Sequence, residues 1–178
     1  MTLSLEHDYN LFRQAVLSVS SSLDLPKAMR SAFNFLKQHF PLEALSLHLL
    51  KPRLRSFHLL FLVTDDQFHY LDEFVPLPTS ESERLEKIER ELKISNIPHS
   101  EKSRVTRRHG AAISPYVPDK DRAYLVSVLG SGQKAVGHLC LIGPEAECFN
   151  AEHEHKLSVL TPAFTRLMMN LLQYREIV

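Results

Sequence analysis

Apolar residues near the end of the chain recur with helical spacing. Leu157, Leu160, Phe164, Leu167, Leu171 and Tyr174 alternate steps of three and four, which predicts a long amphipathic helix over about 151–177 with a heptad seam that wants a partner. It runs out at Tyr174-Arg-Glu-Ile-Val178 with no Gly, Asn or Pro as a stop signal, so the expectation is a fragment of a longer regulator that passes a signal onward through this helix. The start of the chain mirrors its end. Leu5, Tyr9, Phe12, Val16, Val19 and Leu23 predict a first helix over about 5–23. Asp24 then reads as an N-cap, with Pro26 in the first turn of a second helix that carries Ala28, Met29, Ala32, Phe33, Leu36 and Phe40 on one side and ends at Pro41.

In the middle of the chain the period falls to two. Leu45, Leu47 and Leu49 alternate with Ser46 and His48, and Lys51-Pro52-Arg53 turns the chain into a strand from Ser56 to Thr64. Phe68 to Val75 reads as a further strand, and Thr79 with Glu83 forms a capping box for a charged helix using Leu85, Ile88 and Leu92. From Ile97-Pro98 to Asp121 no periodicity survives, which predicts a long functional or mobile loop. Two strands follow, Ala123 to Leu129 and Ala135 to Ile142, joined through Gly130-Ser-Gly132, the second leading to Phe149-Asn150 and the last helix. Pro162 interrupts that helix, so it should kink about one turn earlier, either as a curve over a sheet or as a hinge in a signalling helix.

Composition narrows the class. With 178 residues, 44% hydrophobic and 24% charged, the chain can bury one sizeable core and is expected to form a single domain over 1–178. Its 21 basic and 21 acidic residues cancel, so no global field draws it to nucleic acid or an anionic membrane. Two cysteines, no apolar run long enough to span a bilayer and no signal peptide lead to the expectation of a reduced, cytoplasmic protein.

The order of helices, hairpin, strand, capped helix, loop, hairpin and helix resembles a GAF domain. It is similar in particular to the N-terminal sensory GAF domains of sigma-54-dependent, enhancer-binding transcriptional activators. The segments that carry the resemblance are Ser21 to Ala28, Gly137 to Leu141, Phe149 to His153, Leu160 to Phe164 and Asn170 to Glu176. The resemblance covers nearly the whole chain and implies an α+β fold: a six-stranded antiparallel sheet with the terminal helices on one face and a small-molecule pocket on the other, under a helix and a long loop. It also implies downstream AAA+ and DNA-binding domains in the full-length protein, neither of which lies in this sequence. The fragment is therefore expected neither to hydrolyse ATP nor to contact DNA.

Chemistry-bearing clusters are sparse. Ten histidines invite a metal, yet His153 and His155 stand about 200° apart on a helix, a poor chelate. His48, His58 and His138 would lie on neighbouring strands of a GAF sheet, and Cys140 shares a face with His138 at i, i+2. On that alternation the residues expected to line the pocket are Ser46, His48, His58, Phe74, Ile97, His138 and Cys140. The alternatives for the histidines are ordinary hydrogen-bonded side chains beneath a loop, or a metal or haem site; no metal is assigned and the effector stays open. Lys102, Arg104, Arg107, Arg108 and His109 form the one basic run, either solvated or closing over an anionic effector. No Gly-rich phosphate loop, cyclic-nucleotide signature or bilin-attachment setting is readable.

The expected function is a non-catalytic sensor that binds a small ligand and repacks the terminal helices of a homodimer. Tyr9, Phe12, Val16, Leu167, Leu171 and Tyr174 are expected at the dimer interface. The alternatives are a small enzyme of the free-methionine-sulfoxide-reductase type, which needs an attacking and a resolving thiol, and a ligand-free dimerisation domain.

Overall fold

The computed structural model describes residues 2–20, 22, 24–77, 94–101, 104–118, 120–131 and 134–176. Helix α1 (Thr2–Val19) leads to α2 (Leu25–Lys37), whose start is set by Asp24: its carboxylate Oδ1 accepts from the backbone N–H of Lys27 at 2.9 Å. The first helix stops four residues short of Leu23. Three serines in a row are poor helix formers, and the Ser22 hydroxyl instead accepts from the Asp24 N–H at 3.1 Å, favouring a turn.

Strands β1 (Ala44–Lys51), β2 (Ser56–Thr64) and β3 (Phe68–Pro76) form a meander, and β4 (Ile94–Ile97), β5 (Tyr124–Ser131) and β6 (Lys134–Ile142) complete the sheet. All six strands pair antiparallel in the order β3-β2-β1-β6-β5-β4, so β6 inserts beside β1 at the centre. Periodicity alone exposes five of these strands. β4, only four residues long, is too short to show an alternation.

The stretch expected to be a loop contains a 3₁₀ turn (His99–Glu101) and helix α3 (Arg104–Ile113). Its buried positions Thr106, His109 and Ile113 are spaced by three and four, but two of them are polar, so a search for apolar periodicity passes over them. The charged helix expected from Thr79 onward lies outside the described residues, as do Lys102 and the Tyr174 side chain.

Helix α4 (Ala151–Glu176) closes the chain and contains Pro162. Asn150 caps it reciprocally: the His153 N–H donates to Asn150 Oδ1 at 3.1 Å, and the Asn150 N–H donates to His153 Nδ1 at 3.2 Å. Helices α1, α2 and α4 cover one face of the sheet. There Leu45, Leu47, Leu49, Leu125, Leu129, Leu139 and Leu141 meet Leu11, Ala15, Met29, Phe33, Leu157, Leu160 and Phe164. Gly137 makes the close approach possible, since a Cβ on it would stand 2.2 Å from the His48 carbonyl oxygen and 2.7 Å from Met168 Cε. The opposite face carries a smaller core of Ala44, Leu59, Leu62, Leu71, Tyr124, Cys140 and Ile142 under Ile113 and Val117.

Candidate functional site: a histidine cluster beneath helix α3

Because β1 turns Leu45, Leu47 and Leu49 toward the large helices, Ser46 and His48 face the other way. Register then sets their neighbours: Ser46 lies opposite Cys140 and His48 opposite His138 on β6. Ser46, His48, His138 and Cys140 are all buried. Helix α3 lies over them and brings down His109. The Ser46 Oγ is 3.0 Å from His48 Nε2 and 3.2 Å from His109 Nε2, and the two imidazole centroids are 4.7 Å apart. One hydroxyl between two ring nitrogens donates to one and accepts from the other, so neutral rings in complementary tautomers satisfy it.

Aromatic walls complete the cluster. Phe57 meets His138 edge-on at 5.0 Å between centroids, and the Tyr124 ring lies 5.6 Å from that of His109. Gly110 sits directly on the Tyr124 hydroxyl, 3.3 Å from where a Cβ would be, which lets α3 seat close to β5.

Burial disfavours charge on His48, His138 and Cys140. Desolvation, followed by the nearby His109 and His138, holds the His48 imidazole well below its usual range, and desolvation lowers His138 to about 4. The Cys140 thiol is pushed up to about 12 by burial, with a hydrogen bond to Ser46 opposing, which disfavours the thiolate. Among the described residues no group of three or more His, Cys, Asp or Glu is placed to hold a metal ion.

Two expected pocket residues lie elsewhere. Between Leu47 and His48 the pairing jumps from Phe61 to Leu59, leaving Leu60 as an extra residue in β2. Without that bulge His58 would share the face of His48; with it, His58 pairs with Leu49 and turns to the opposite face. Phe74 follows because it pairs with His58, and their rings stack at 4.4 Å. His58 also bonds Asp72 Oδ1 at 2.6 Å, reached from a left-handed backbone at Asp72 with φ 49°. Ile97 is half-buried, opposite Tyr124, and packs on the smaller core.

Sequence reasoning missed His109, Tyr124 and Phe57 as members of the cluster. The only available signal for His109 was its spacing from Thr106 and Ile113. Of the basic run, Arg107 and Arg108 are exposed, and Arg108 Nη1 donates to the Pro76 carbonyl at 2.7 Å, tying α3 to the end of β3.

The two thiols are on different sides of the sheet. Cys140 belongs to the core under α3, whereas Cys148 packs against the helix-side core, beside Gly143.

No protein-family model and no curated relative matches the chain. Among solved structures it is similar to the GAF domain of a phosphoenolpyruvate-protein phosphotransferase from Coxiella burnetii, with TM-score 0.57 and 15% identity over 95% of each chain. The chain has a GAF fold. A second similar structure is the GAF domain of a two-component sensor histidine kinase from Bacillus halodurans, with TM-score 0.58 and 16% identity over 82% of this chain and 94% of that one. A third is free methionine-R-sulfoxide reductase from Neisseria meningitidis in complex with its substrate, with TM-score 0.60 and 12% identity over 94% and 91%. The GAF fold therefore occurs in sensory proteins and in an enzyme among its structural neighbours. Among the described residues no helix is long and apolar enough to cross a membrane.

Proposed function

We propose that this chain is a non-catalytic, small-molecule-sensing module of a cytoplasmic bacterial transcriptional regulator of the sigma-54-dependent kind, signalling through the terminal helices of a homodimer. The observation that carries the reading is the division of labour across the sheet. Polar, neutral and buried side chains gather under α3, while α1 and α4 pack on the reverse face of the same strands. A change at His48 or His138 is one peptide thickness from Leu49, Leu139 and Met168, so a ligand that displaces α3 also strains the helix layer. Neutral hydrogen-bonding groups beside aromatic walls favour a small polar or aromatic effector over a long acyl chain.

The placement of the cysteines argues against sulfoxide reduction. Disulfide exchange needs a thiolate and a second thiol within bonding reach, and the sequence has two cysteines, one buried with a raised pKa and the other across the sheet. Turnover of free methionine sulfoxide coupled to thioredoxin is expected to be absent, and turnover would remove the sensory reading.

The direct test is native mass spectrometry of the protein as purified, followed by thermal-shift screening of wild type and His48→Leu. Ligands that stabilise the wild type should lose their effect in the variant. Equal responses to every such ligand would show that His48 is only structural.

Within the single chain, Phe12, Val16, Leu167 and Leu171 are half-buried and pack onto its core, so the two seams partly satisfy each other. Leu5, Tyr9 and Leu17 on α1 and Met169 on α4 remain exposed at 67%, 66%, 61% and 37%, and this apolar surface is the proposed contact between protomers.

A further inference from the structure

We propose that helix α3 is an acid-released latch: proton uptake by the buried cluster of His48, His109 and His138 undocks Arg104–Ile113 from the sheet while the six-stranded core stays folded. The latch goes beyond ligand sensing and does not depend on it.

The geometry places three imidazoles from three elements in one desolvated space. His48 and His138 are register partners on the two central strands, and His109 descends from α3 to within 4.7 Å of His48. Around them stand Ser46 on β1, Cys140 on β6, Tyr124 on β5 and Phe57 on β2. From α3, Thr106 faces inward, while the exposed Arg107 and Arg108 add positive charge on its outer side. On β3, Glu73 is paired with Leu59 and so lies two strands from His48, exposed to solvent.

Neutral rings suit this arrangement, because the Ser46 hydroxyl can then donate to one ring nitrogen and accept from the other. When both rings carry protons each facing nitrogen is a donor, the Ser46 O–H must turn away from both, and two like charges stand at contact distance in a dry site. Moving α3 is the cheapest escape. His109 leaves with the helix, and His48 and His138 gain water, whereas the strands that carry them are held on both sides by sheet hydrogen bonds.

Linkage sets the size of the effect. A histidine near 4 when docked and near 6.5 when hydrated favours the undocked state at pH 5 by on the order of thirtyfold, for His138 alone.

Backbone hydrogen exchange read by mass spectrometry, corrected for the intrinsic pH dependence of exchange, tests the latch at pH 7.5 and pH 5.0. The expected result is a loss of protection of about tenfold or more in residues 104–113 on acidification, with β1 and β6 still protected. In His48→Gln/His138→Gln the acid-dependent loss should fall below about threefold. Unchanged protection of α3, loss in β1 and β6 at the same rate as in α3, or full acid sensitivity in the double variant would each overturn the latch. Should the double variant fail to fold, ring NMR titration of the wild type decides. Ring signals of His48 and His138 that titrate near 6.5 while α3 stays protected would overturn it; protonation that coincides with loss of α3 protection is the expected result.

Discussion

Gly137 shows how tightly single residues are constrained. A methyl group there would collide with the His48 main chain, which cannot swing away, and with the end of the buried Met168 side chain, which would have to repack. Gly137→Ala should destabilise the protein by about 1–3 kcal/mol, seen as a lower urea midpoint at unchanged slope. Glu43 offers a second case. Burial raises its carboxyl pKa, yet hydrogen bonds from Arg122 at 2.8 Å and Lys120 at 3.0 Å outweigh that and hold it below the usual carboxylate range. Arg122 is buried, so Glu43→Gln would strand a guanidinium in the interior and should cost about 3 kcal/mol in urea unfolding. Glu43→Leu combined with Arg122→Met should recover most of that loss, because removing both charges also removes the desolvation cost.

At the scale of elements, legibility in the sequence followed chemistry. Helices α1, α2 and α4 and the five longer strands show themselves because most of their buried positions are apolar, regularly spaced in the helices and alternating or continuous in the strands. Helix α3 does not, since its inward stripe is Thr106, His109 and Ile113. The end of α2's linker was readable in full: Asp24 caps as its type suggests. The cap of α4 was readable only in part, because Asn150 is an ordinary capping residue but His153 as its reciprocal acceptor follows no common pattern. Asn150→Ala should therefore cost about 1 kcal/mol of stability, measured in the same urea titration. The bulge at Leu60 is the clearest limit. Nothing in Ser56 to Thr64 marks it, yet that one extra residue sends His58 and Phe74 to the face opposite His48 and His138.

Over the whole molecule, stability should depend on pH through the cluster under α3. The folded-state pKa of His138 is lowered, to about 4, so its contribution is present in full above 6.5 and lost as pH falls from there toward 4. That loss amounts to roughly 3 kcal/mol, with His48 adding in the same direction. Urea midpoints between pH 7.5 and 4.5 should decline for the wild type and less steeply in His138→Leu, where His48 supplies the remaining slope. Assembly belongs to the same scale. Light scattering at tens of micromolar should show a dimer, and Tyr9→Glu, which places a charge in the exposed apolar stripe, should shift it to monomer with the fold intact by circular dichroism.

Period by itself determined the class of this protein, because a helix or a strand needs only local spacing to bury one face. The six-stranded sheet with helices on one side was implied by the resemblance to GAF domains, and Ser46, His48, His138 and Cys140 share a face as simple alternation required. Tertiary structure decided the rest. Which residues complete the cluster depends on where α3 lands and on a bulge in a neighbouring strand, and both are settled by packing between segments distant in sequence. Ser46 and His109 are 63 residues apart, and no local pattern records that they meet.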